Sequence, residues 1–102
     1  MYVCYNAMRD IRFEWNEAKA TTNRRKHGVS FEEARTVFYD ENALQIADPD
    51  HSASEDRFVM LGMSHRLRVL VVVHAFREND RVIRLISARR ATKREQRHYW
   101  EQ

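Results

Sequence analysis

An α+β fold is expected, with helices packed on an antiparallel sheet of about four to five strands. Three observations predict it. Apolar residues recur with a period of two, or in short unbroken runs, along much of the chain from residue 43 to residue 88. Helix-start signals flank that region on both sides: Asn16, Ser30 with Glu33, and Thr92 with Glu95. The later strands follow one another too closely for parallel crossovers, so they form hairpins. At 102 residues the chain makes one domain with one core. Residues 11–102 form that domain, and residues 1–10 are set apart as a flexible N-terminal extension.

The elements follow in order. Ile11-Arg-Phe-Glu-Trp15 alternates as a half-buried strand does. Asn16 then caps a helix running to about His27, and Gly28 stops it in the left-handed conformation. Asn23, Lys26 and His27 share one face of this polar helix. A second helix spans Phe31 to Tyr39, with Ser30 and Glu33 as its capping box and Val29 stapled to Ala34. Ala43–Ala47 reads as a strand, and residues 48–56 as an acidic loop. Arg57–Met63, Leu67–Phe76 and Val82–Ala88 complete a meander, with the second of these at its centre. Thr92 and Glu95 open the last helix. Trp15 and Trp100 are expected as core anchors, and His74 as a hydrogen-bonded core residue.

Composition excludes several functions. Two glycines cannot build a nucleotide-binding loop, and a single cysteine, Cys4, cannot form an internal disulfide or a thiolate metal cage. The five histidines are scattered, so neither a metal nor another cofactor is expected. The longest apolar run is far too short for a membrane span, and residues 1–8 lack the layout of a signal peptide. A cytoplasmic protein is therefore expected.

Charge is more informative. Arg77, Arg81, Arg84, Arg89, Arg90, Lys93, Arg94 and Arg97 crowd residues 77–98, whereas residues 40–56 hold six carboxylates and no Lys or Arg. Such a field attracts a polyanion to one side. RNA supplies its own nucleophile, the 2′-hydroxyl. Cleavage then needs only a base, an acid and cations for the charged transition state. His27 and Lys26 are candidates for proton transfer, Arg89 and Arg90 for holding the scissile phosphate, and Tyr99 for donating a proton. Arg57, Arg77, Arg84, Lys93, Arg94 and Arg97 are candidates for binding RNA. The competing readings are a helix-capping role for His27, core packing for Tyr99, and a non-catalytic basic module that only docks a partner.

Three stretches carry a family resemblance: Phe13–Asp40 with its KHGVSFEEA core, Ser54–Ser64, and Leu67–Glu101 with its ISARRAT core. They resemble BrnT toxins. That resemblance implies a RelE-like fold and a metal-independent endoribonuclease that stops translation. It implies a partner too, a BrnA-like ribbon-helix-helix antitoxin, with two toxins and two antitoxins repressing their own operator DNA. Family motifs fall on Lys26-His27, on Glu55 with Arg57, and on Arg89-Arg90.

Overall fold

A computed structural model describes residues 2–8, 11–48 and 57–102. The elements are β1 (Tyr2–Met8), β2 (Ile11–Asn16), α1 (Glu17–His27), α2 (Phe31–Thr36) with a 3-10 turn at Val37–Tyr39, and β3 (Leu44–Ala47). They continue as β4 (Arg57–Met63), β5 (Val69–Arg77), β6 (Val82–Arg90) and α3 (Lys93–Trp100). Asp50, His51, Glu55 and most of the expected acidic loop lie outside the described residues.

The helix ends follow their caps. Asn16 accepts from the Lys19 backbone N–H, and Gly28 closes α1 at φ 70°. Ser30 accepts from Glu33 N–H, and Thr92 with Glu95 forms a reciprocal capping box. The second helix stays α-helical only to Thr36 and tightens into the 3-10 turn. The Thr36 hydroxyl donates to Glu33 O within that last turn.

One sheet runs through the molecule in the order β1-β2-β6-β5-β4-β3. The hairpins among β3–β6 are antiparallel, as their spacing requires. The pair β2–β6 is parallel, so the sheet is mixed. The chain between those two strands includes both helices and the meander, which leaves it free to return in either direction. The set-apart residues include β1, whose backbone pairs antiparallel with β2.

The two sheet faces differ. On one, α1, α2 and the 3-10 turn bury Phe13, Trp15, Phe31, Leu70, Val72, Ile83 and Leu85. Polar groups on that side are answered. The Glu33 carboxylate is 2% exposed and takes a charge-assisted pair from Arg68 and a 2.7 Å bond from the Ser64 hydroxyl. Burial pushes its pKa up, but those bonds outweigh that and hold it below the usual carboxylate range. His74 lies among Phe38, Phe58 and Phe76 and reaches Gln45 Oε1 at 2.9 Å. Burial brings its pKa down to about 4. On the other face, α3 covers one end over Leu61, Val69 and Val71. Among the described residues no other helix packs there. Trp100 is 65% exposed, against expectation, because Tyr99 takes the inward position beside it.

β2 accompanies β6 only from Val82 to Arg84 and then turns into α1. Among the described residues, the backbone of β6 beyond that point lacks a strand partner on this side. Asn23 of α1 substitutes for one. Its Nδ2 donates to Ala88 O at 2.9 Å and to Val29 O at 3.0 Å, and its Oδ1 accepts from Ala88 N–H at 3.1 Å.

Candidate nucleic-acid interface

In a regular strand, residues 84 and 89 point to opposite faces, because their spacing is odd. β6 is not regular. Its register against β5 jumps from Val73↔Ser87 to His74↔Leu85, which leaves Ile86 as an extra residue. The bulge changes the parity of the strand. Leu85 faces the closed core with His74, while Ser87 and Arg89 face the other way with Val73 and Val71. Arg84 pairs with Ala75, which shares the face of Val71 and Val73. Arg57 pairs with Ala75 from the opposite side. Arg57, Arg84 and Arg89 therefore share the face that α1 and α2 leave uncovered.

The pairings lay out that face in rows. One row reads Leu44, Leu61, Val71, Arg89, and the next Ile46, Val59, Val73, Ser87. A third reads Arg57, Ala75, Arg84, Glu14. The β3 to β5 part of the first two rows is apolar, and the polar residues stand on β6. Small Ala75 leaves room between two arginines whose strands are about 10 Å apart. With Glu95 and His98 of α3, Leu44, Ile46, Val59, Leu61 and Val71 line a groove of about 200 Å³.

Arg89 is held firmly. Its Nη1 donates to Glu95 Oε1 at 2.8 Å and its Nη2 to Glu95 Oε2 at 2.9 Å. Nη1 also reaches Arg90 O at 3.3 Å. Two-pronged binding to Arg89 is the main cause that brings the Glu95 pKa to about 2, and Thr92 N–H adds to it. The Nε edge of the guanidinium takes no part in these bonds, and the side chain is 42% exposed. Arg84 Nε donates to Glu14 Oε1 at 3.3 Å, and Arg77 approaches the same oxygen at 3.7 Å.

Lys26 and His27 border a second hollow, a cleft of about 390 Å³ between α1 and β6. Ala18, Lys19, Thr22 and Asn23 complete the helix wall, and Ile86 and Ser87 form the strand wall. Ser87 belongs to the open face as well, so cleft and face meet at the bulge. The remaining expected residues are dispersed. Arg90 is exposed but alternates to the face of Ala88, so it does not stand beside Arg89. α3 meets the sheet through Glu95, His98 and Tyr99, while Lys93, Arg94 and Arg97 are exposed off that stripe. Tyr99 is 4% exposed, and its hydroxyl donates to Asp40 Oδ2 at 2.6 Å. Burial first, and then the Asp40 carboxylate, push its pKa up to about 12. Tyr99 is thus a packing anchor, and its proton is committed to Asp40.

The family described as the ribonuclease toxin, BrnT, of type II toxin–antitoxin systems matches residues 15–95. The chain belongs to the BrnT family. A crystal structure of the Brucella abortus ribonuclease toxin BrnT is similar in fold, with a TM-score of 0.61 at 23% identity. The likeness covers 78% of this chain and 94% of that one. No curated protein matches the sequence. The expected α+β architecture is thus the architecture of the BrnT family, and the RelE-like description is consistent with it. The described residues contain no helix long and apolar enough to cross a membrane.

Three features of the face are absent from the sequence reading: the bulge at Ile86, the clamp of Glu95 on Arg89, and the use of Asn23 as a strand substitute. Only the second left a signal, because a capping-box glutamate six residues after an arginine spans the strand-to-helix turn.

Proposed function

We propose that this BrnT-family toxin cleaves RNA on the open sheet face without a metal ion. Arg89 and Arg84, with Arg57 across Ala75, hold phosphates of the RNA backbone. A base draws the proton from the 2′-hydroxyl, whose oxygen attacks the adjacent phosphorus. The 5′-oxygen leaves with a proton, and a cyclic phosphate remains. Lys26 and His27, which line the cleft that meets the face at Ser87, carry these proton transfers. Convergence of three arginines on one face, brought about by the bulge, is the observation that supports this reading. Arg90, Lys93, Arg94 and Arg97 serve at most as distant attraction for a polyanion. Cleavage inhibits translation in the bacterial cytoplasm. A BrnA-like ribbon-helix-helix antitoxin neutralises the toxin, two copies binding two, and carries it to operator DNA.

Labelled mRNA incubated with the purified protein in EDTA, with and without ribosomes, tests the reading. Cutting by the wild type and none by Arg89→Ala is expected. Folded wild-type protein that binds RNA or antitoxin but never cuts would transfer the function to a non-catalytic docking module.

A further inference from the structure

We infer that the apolar groove beside Arg89 is a nucleobase pocket, which takes a base of the bound RNA and reads its edge. The inference rests on the ribonuclease reading and gives its substrate site a specificity element.

Three observations point to a base rather than to another occupant. The first is placement. The row Leu44, Leu61, Val71 ends at Arg89, and the row Ile46, Val59, Val73 ends at Ser87. A phosphate held on β6 therefore has the groove one or two strands away, within the reach of one nucleotide. The second is shape and chemistry. The groove is about 200 Å³ in volume, suited to one flat ring and too small for a packed helix face. Its floor and outer wall are aliphatic, and its polar groups, Glu95 and His98, come only from α3. A nucleobase has the matching form, with apolar faces and a hydrogen-bonding edge. The third is the fixed state of Glu95. Arg89 holds both carboxylate oxygens and Thr92 N–H adds a second bond to Oε1, so Glu95 presents the remaining acceptor site of Oε2 in one orientation. Such an edge accepts from the exocyclic amino group of adenine, cytosine or guanine. Uracil offers only its N3–H, flanked by two carbonyl oxygens that a carboxylate repels.

Arg89 and the groove thus act as a unit. The arginine takes the phosphate through its Nε edge, and the glutamate that orients it faces the base. Ile46 is 61% exposed at the groove's outer wall, and among the described residues no packing covers it.

The test uses short single-stranded 2′-O-methyl RNA, which binds but cannot be cut because its nucleophile is blocked. Each base in turn is replaced by an abasic ribose, and affinity is read by fluorescence anisotropy. One position is expected to lose about tenfold or more. At that position uracil is expected to bind about tenfold more weakly than an amino-bearing base. Ile46→Asp, at an exposed site, and Val59→Phe, which fills the groove, should each flatten this profile while salt-sensitive backbone binding persists. A profile that is flat in the wild type, or unchanged in both variants, overturns the pocket and leaves the groove to a protein partner. Cleavage of ordinary RNA by the same wild-type sample separates the outcomes. Normal cutting with a flat profile overturns the pocket alone, and neither cutting nor binding overturns the ribonuclease reading with it.

Discussion

The two faces of one sheet treat charge in opposite ways. Beneath α1 and α2, Glu33, Asn23 and His74 are buried, and each is answered by specific bonds. On the face that α3 only partly covers, Arg84 and Arg89 are also paired, with Glu14 and Glu95, but they and Arg57 stay partly exposed. Burial makes an unanswered charge costly, so the closed face tolerates only matched groups. On the open face the ion pairs stay partly in water, which bears part of that cost. Each strand feeds both faces by alternation, and Ile86 decides which residues go where.

Substitutions that separate the faces should have opposite signatures. The largest effect on stability is expected from Arg68→Ala, which strands a nearly buried Glu33. About 3 kcal/mol or more should be lost in denaturant unfolding, with cleavage by the remaining folded protein unaltered. Arg89→Ala is the mirror case. Cleavage should drop about 100- to 1000-fold, while the free energy of unfolding changes by no more than about 1 kcal/mol. A collapse of folding with Arg89→Ala would instead assign that residue to the scaffold.

Acid should probe the closed face first. The folded pKa of His74, about 4, lies below its ordinary value of 6.5. Between those values the unfolded chain binds the proton and the folded chain does not. The contribution of His74 is therefore whole above pH 6.5 and is lost as pH falls towards 4. By linkage the loss is about 3 kcal/mol. Thermal midpoints measured across this window should fall, and His74→Phe should flatten the slope. Glu95 acts lower and more weakly. Its depressed pKa contributes stability above about 4.5 that disappears as pH falls towards 2. A Glu95→Gln variant that titrates like the wild type over that range would show that the Arg89 clamp adds nothing to stability.

Local chemistry was readable in the sequence. Asn16, Gly28, Ser30 and Thr92 each act within a few residues, so the starts of all three helices and the end of the first could be placed from them. Hairpin order followed from short loops. The parallel pairing of β2 with β6 joins residues about seventy positions apart, and no local pattern encodes it. The site was legible as a set of charged residues but not as a geometry. Arg89 and Arg90 look like a pair in the sequence, yet alternation separates them. Arg84 and Arg89 look mismatched in parity, yet the bulge brings them together. Tyr99 carried two readings, a proton donor or a core ring. Its bond to Asp40, a residue of a different element, supports the second.

Asn23 has a consequence outside catalysis. An uncovered strand invites the backbone of any passing extended chain, and a protein in a crowded cell would meet many. A single amide side chain occupies the donor and the acceptor of Ala88, as a neighbouring strand would. The last residues of β6 can then stay bare of a seventh strand and remain reachable from the cleft. Sociability of the protein is in this way set by one asparagine on an otherwise unremarkable helix.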